Sequence, residues 1–262
     1  MSKINNSKEL KRKILKEKIL VLSLQITLIT SFLVTWEIMS RKGIISSFLF
    51  SSPTKILKTI YDLYLDGLLW THIWATIYEI VISFSIGIML GFMIAIILYE
   101  IPLLERVCAP FLTMINSLPK VALGPIIIIW FGANIKSVIV MALLINLIVS
   151  ILNIYNGFQG VDSYRLRLLE TLGTNKKDTL KYLIIPESKQ TILSSLKINI
   201  SMTLIGVVMG EFLVSKKGLG YLIIYGTQVF KLDLVMTGIF LLIIISFILY
   251  KIVTYFEKKW SR

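Results

Sequence analysis

Residues 137–157, SVIVMALLINLIVSILNIYNG, run for twenty-one positions without a charged side chain. Wound as a helix, such a stretch is about 31 Å long, the thickness of a bilayer's hydrocarbon core. Lipid offers no partner to an unpaired peptide group, so a segment of this kind crosses as a helix that satisfies its own backbone. Five more apolar stretches flank it. Residues 19–39 are charge-free as far as Trp36, residues 77–98 carry only Glu79, and residues 234–255 are charge-free until Lys251. Residues 190–214 carry Lys197 and Glu211. In residues 107–131, Lys120 stands next to Pro119, and a proline that cannot donate to the helix ladder predicts a break or tilt there. The expected fold is an all-α integral membrane protein with six transmembrane helices in one domain, residues 19–262, preceded by a basic arm, residues 1–18.

Composition agrees. Of 262 residues 56% are apolar and only 16% charged, and the mean hydropathy is +0.80, which excludes a soluble enzyme of this length. One cysteine, Cys108, and one histidine, His72, leave no disulfide framework, no multi-cysteine metal site and no motif that needs two imidazoles. His72 reads as a surface or interface residue and Cys108 as a packing one. A net charge of +13 would suggest nucleic acid in a soluble chain; in this one it reports orientation, and no nucleic-acid partner is expected.

An even number of spans puts both termini on one side, and the basic residues say which. With the termini inside, seventeen Lys and Arg fall in inner segments and eight in outer ones, the bias expected for cytoplasmic termini. The first span is too long for a cleaved leader, and no Ala-x-Ala-like site follows it. The arm is expected to be disordered. In the outer segment 40–75, Ile56, Ile60 and Leu63 are spaced for a short amphipathic helix that Ser52 or Thr54 could cap.

The inner loop 158–189 is polar but carries ordered apolar spacing, which predicts two short helices. Residues 164–172 put Leu166, Leu169 and Leu172 on one face, and Gly173 permits the positive φ of a turn. Residues 176–185 follow, with Leu180, Leu183 and Ile184 apolar, and Pro186 ends that helix or opens the next.

Glu170-Thr171-Leu172-Gly173, nine residues, then Leu183-Ile184-Ile185-Pro186 resembles the cytoplasmic signature loop of membrane permeases of binding-protein-dependent ABC importers. Ser117 to Pro125 (SLPKVALGP), Trp130-Phe131-Gly132, and Gly218-Leu219-Gly220 after Glu211 are similar to the nitrate, sulfonate and taurine branch. The resemblance covers residues 51–260. It departs at Arg167-Leu168-Leu169, where the family has Glu-Ala-Ala; Glu170 stands nearby to take part of the acidic role. It implies that Arg167, Glu170, Thr171, Leu172, Gly173 and Pro186 belong to coupling helices that dock on a cytoplasmic ATPase dimer. It also implies an extracytoplasmic substrate-binding protein, a second permease copy and a bacterial plasma membrane. The implied cargo is nitrate, a sulfonate, a taurine-like anion or a vitamin precursor.

Ionisable groups at membrane depth are candidates for a translocation path, here Lys120, Glu79 and Glu211, with Lys197 near the inner end of its span. Snorkelling or a structural ion pair is the other reading of each. The spacings Gly87 to Gly91 and Gly206 to Gly210 suit close helix packing within or between chains, and Trp36, Trp70, Trp74 and Trp260 suit the membrane interface. No phosphate-binding Gly-x-x-x-x-Gly-Lys-Ser/Thr loop and no nucleophile with its base occurs, so no catalysis and no cofactor are expected in this chain. Energy would come from an ATPase partner or, if the chain is a secondary carrier or channel, from an ion gradient.

Overall fold

The computed structural model describes residues 2–260, with side chains from residue 13 onward; the arm's Lys3, Lys8, Lys11 and Arg12 side chains and Arg262 lie outside the described residues. All regular structure among them is helical. Helix α1 (Ser2–Arg41) includes the arm, which the sequence reading expected to be disordered. The arm contains neither glycine nor proline and is rich in Lys, so nothing local stops the helix of the first span from extending through it. The described part of α1 is exposed as far as Phe32, after which Leu33, Trp36, Glu37 and Met39 are partly covered and Ser40 is buried, and its main contacts are with α2 (Ser47–Phe50) and α3 (Pro53–Leu65). Glu37 makes that joint, accepting from Thr54 N (3.1 Å), Thr54 Oγ1 (2.7 Å) and Arg41 Nε (2.6 Å).

Helix α3 is the expected amphipathic helix. Ser52 caps it by accepting from Lys55 N at 3.3 Å, and Ile56 and Leu63 are buried. Helix α4 (Leu68–Glu100) begins well before residue 77, since no breaker follows Gly67. The third apolar stretch divides into α5 (Pro102–Ser117) and α6 (Gly124–Phe131), bent by 88° about a 3₁₀ turn at Lys120–Leu123. Pro119 is the physical cause: it holds Leu118 in extended backbone (ψ 141°), where a helix cannot continue.

Helix α7 (Ile135–Gln159) lies at the centre, packed on both α4 and α10 (Ile185–Val214). Between α7 and α10 come α8 (Ser163–Thr171), α9 (Lys176–Thr179) and a π turn at Leu180–Ile184. The chain ends in α11 (Leu219–Gln228) and α12 (Leu232–Trp260). Among the described residues five helical segments are long and apolar enough to cross a membrane, and the bent α5–α6 pair is a sixth crossing if it counts as one span.

Small residues set the central packing. Gly87 and Gly91 of α4 face Asn146 and Ser150 of α7, so both Gly-x-x-x-Gly spacings pack within the chain. A Cβ on Gly206 would sit 2.5 Å from Ala142 Cα, and one on Gly210 2.8 Å from Val138 Cα, so only glycine lets the α7 and α10 backbones meet this closely. Polar side chains stitch the same seam. Asn146 Nδ2 donates to Ser83 O (3.0 Å) and Thr203 Oγ1 (2.7 Å), and Ser150 Oγ donates to Asn199 Oδ1 (2.9 Å).

Candidate functional site

Two arrangements stand out, one at each end of the bundle. The first is the knob formed by α8 and α9. Asp162 caps α8 by accepting from Tyr164 N (2.9 Å), and Asn175 caps α9 by accepting from Asp178 N (2.8 Å). Between them Gly173 has φ +75°, as its place in the sequence predicted, and Thr174 Oγ1 closes the turn by donating to Leu169 O (2.8 Å). Arg165 of α8 pairs with Glu187 in the first turn of α10. Leu180 and Ile184 are buried against Ile154 and Phe158, and Phe158 is held edge-on by Phe92 and Tyr99. The knob therefore has a cored base and a bare outer face.

That outer face carries Tyr164, Leu168, Leu172 and Tyr182, all large and all exposed, Leu172 to 71%. Arg167, Glu170, Thr171 and Pro186 are exposed beside them. Leu172 parts from Leu166 and Leu169, which are half-buried, because α8 stops at Thr171 and the chain turns away. Pro186 opens α10 rather than ending the helix before it, and the π turn joins α9 to α10 without a stop.

At the opposite end three side chains hold the start of α11. His72 Nδ1 accepts from Gly218 N (3.1 Å), Thr76 Oγ1 accepts from Leu219 N (2.8 Å), and Glu211 Oε2 accepts from Gly220 N. Thr76 Oγ1 also donates to Glu211 Oε1 at 2.6 Å. The first N–H groups of a helix have no partner within it, and here α4 and α10 supply the acceptors. Glycine at 218 and 220 leaves room for the carboxylate, since a Cβ on Gly220 would lie 2.7 Å from Glu211 Oε2. Glu79 is buried on the same helix face as Thr76, and its Oε2 has no hydrogen-bond partner among the described residues.

The candidate path residues do not converge. Glu79 and Glu211 are both buried, whereas Lys120 reaches back from the 3₁₀ turn to the preceding helix: Nζ donates to Asn116 O (3.1 Å) and Oδ1 (3.3 Å), capping the carboxyl end of α5. Lys197 pairs with Glu257 of α12 at 2.5 Å. His72, read from the sequence as a surface or interface residue, is not on the surface: it is 6% exposed, hydrogen-bonded to Gly218, and its ring stacks on Tyr221 at 5.8 Å. Thr76 was missed altogether. A signal was available, because His72, Thr76, Glu79, Ser83, Gly87 and Gly91 recur every three or four residues, a polar and small stripe on one face of an apolar helix.

Comparison with known proteins places this geometry. Residues 87–262 match the family described as binding-protein-dependent transport system inner membrane component. The chain is 31% identical over 189 residues to the formylaminopyrimidine transport permease protein ThiX of Halalkalibacterium halodurans, covering 72% of this chain and 75% of that one. It is 27% identical over 224 residues to the putative aliphatic sulfonates transport permease protein SsuC of Bacillus subtilis, covering 86% and 81%. Its fold is similar to a chain in an inward-facing structure of the MetNI methionine ABC transporter, with a TM-score of 0.66 at 16% identity over 76% of this chain and 98% of that one. The chain belongs to the family of inner-membrane permease components of binding-protein-dependent ABC importers.

Proposed function

We propose that this chain is the bilayer-spanning subunit through which a separate cytoplasmic ATPase dimer drives import of a small solute across a bacterial plasma membrane. Both termini and the knob face the cytoplasm, where the excess of Lys and Arg lies; α3 and the start of α11 face outward, toward a soluble substrate-binding protein. Two copies of the chain form the path. ATP binds to the partner, and this chain supplies no catalytic group and no cofactor site.

The observation that carries this reading is the knob. Its outer face is apolar and exposed, while its base is anchored by Leu180 and Ile184 and by the Arg165–Glu187 pair. A knob of this build passes on a push from a docked motor, because core packing resists deformation. Arg167, Glu170, Thr171, Leu172, Gly173 and Pro186 are assigned to that docking surface, with Tyr164 and Leu168 added by their exposure. Glu79, Glu211 and Lys120 are kept as candidates for the translocation path. The cargo is a small polar solute, a vitamin precursor or a nitrate, sulfonate or taurine-like anion, a reading supported by the formylaminopyrimidine and aliphatic sulfonates for which two relatives are named.

The test is co-purification of the ATPase with Leu172→Asp. An exposed position tolerates the charge, so the variant should reach the membrane at wild-type level and unfold at the wild-type temperature while losing the ATPase. Wild-type retention of the ATPase would overturn the docking assignment. Uptake into vesicles by the chain alone, on an ion gradient and without ATP, would replace the whole reading with a gradient-driven carrier.

A further inference from the structure

His72 is the chain's only histidine, and it stands where a positive charge would break a contact. Its Nδ1 accepts from Gly218 N at 3.1 Å, which requires the neutral ring in the tautomer that carries its hydrogen on Nε2. A protonated ring carries a hydrogen on both nitrogens. Nδ1–H would then meet Gly218 N–H, donor against donor, and the bond is lost. Imidazole is the side chain whose charge ordinarily changes between about pH 5 and 8, so mild acid is enough to pose this conflict.

The surroundings give a charged ring somewhere to go. His72 lines a cleft of about 910 Å³ between α3 and the amino end of α11. The loop before α11 sets Lys216 and Lys217 on that cleft, beside Gly218, and Lys231 joins them from the turn after α11. All three repel an imidazolium. Helix α3 sets Asp62 and Asp66 on the same cleft, and α12 adds Asp233. Lys55 of α3 is engaged elsewhere, donating to Ser47 O and Oγ at 3.2 Å. Glu211 of α10 has its oxygens taken by Thr76 and Gly220 N, and Glu79 lies two turns further along α4. From α11 the ring meets Tyr221, which in turn stacks on Tyr225. A charged His72 is thus pushed by the lysines beside Gly218 and drawn to the carboxylates of α3.

We propose that His72 is an acid-released latch: a proton taken up from the outer side frees Gly218 and the loop before α11 from α4, leaving the amino end of α11 held by Thr76 and Glu211 alone. The latch is closed at neutral pH and opens as pH falls. Its bearing on ATP use rests on the proposed import function; the latch itself does not.

The test uses the full chain in nanodiscs of neutral lipid, purified by a histidine-free tag. With ¹⁵N-histidine labelling the single imidazole is read directly, and amide hydrogen exchange reports residues 218–220. At about pH 8 the ring should show the Nε2–H tautomer. On going to about pH 5 it should become charged, and the protection factor at 218–220 should fall about tenfold in step, the fold-change that one hydrogen bond is worth. His72→Asn sets an amide oxygen near the place of Nδ1 and cannot charge, so its protection should stay high across the range. His72→Phe keeps the stack on Tyr221 without the acceptor, so its protection should be low throughout. An Nδ1–H tautomer at pH 8, a ring that stays neutral at pH 5, or a loss of protection in His72→Asn equal to that of wild type overturns the latch; the last would assign the titration to another group. Should His72→Asn fail to fold, the wild-type tautomer and the His72→Phe protection still decide. In the permease–ATPase complex an open latch relieves α10 of one restraint, so hydrolysis by wild type relative to His72→Asn should be near one at pH 8 and rise several-fold at pH 5. A ratio of one at both values overturns the regulatory role. If no ATPase assembles with the wild-type chain, it is the import function that fails, and the imidazole and exchange readings stand apart from it.

Discussion

Thr76 serves two partners with one hydroxyl, donating to Glu211 and accepting from Leu219 N. Thr76→Val keeps the shape and removes both bonds, leaving a buried carboxylate and a buried N–H short of a partner. The expected loss is about 1–3 kcal/mol, read as a lower unfolding temperature in detergent, with Thr76→Ser restoring most of it. Gly173 poses a different problem. Nothing lies within 4 Å of where its Cβ would stand, so the cost of a side chain is the positive φ alone. Asparagine tolerates that conformation, so Gly173→Asn should keep ATP-driven uptake near wild type, whereas Gly173→Asp also places a negative charge on the proposed docking face and should uncouple uptake from hydrolysis. Equal uptake by the aspartate variant, at equal membrane expression, would remove Gly173 from the docking surface.

At the scale of elements, the α7–α10 seam is set by backbone approach rather than by large side chains. Gly206→Val would drive its side chain into Ala142 Cα, and overpacking of this kind costs about 1–3 kcal/mol where the helices can part and more where they cannot. Reduced membrane yield and a lowered unfolding temperature are expected, and a wild-type unfolding profile would refute the close contact. Much of this scale was legible beforehand. Charge-free length locates the crossing helices, Pro119 marks the bend, and Gly173 marks the turn between the two knob helices. What could not be read is which helices touch. Lys197 and Glu257 are sixty residues apart in sequence, as each carries an ordinary charge near the end of an apolar stretch, and nothing in either local pattern names the other. His72 looked like a lone polar residue in a loop because its partner is a backbone N–H near residue 218, which no side-chain pattern reveals. Continuation of helix into the arm was hidden for another reason: charge suggested disorder, while the lack of any breaker decided the outcome.

For the molecule as a whole, the Lys197–Glu257 pair ties α10 to α12 near the end that carries the knob. Lys197→Glu alone sets two carboxylates against each other and should lower the unfolding temperature; adding Glu257→Lys should recover it. Failure of the exchange to rescue would mean the two charges do not act as a pair in the membrane.

The π turn gives the molecule its gearing. Because it joins α9 to α10 without a stop, residues 176–214 are one rod of thirty-nine residues, about 58 Å from tip to tip. One tip lies at the face proposed above to dock the ATPase, and the other carries the carboxylate that grips α11. On those dimensions, a tilt of about 5° at the footing sweeps the distant tip through about 5 Å. Movements small enough to pass unnoticed at the nucleotide would thus be large enough to open or shut a route for a molecule the size of the solutes this family carries.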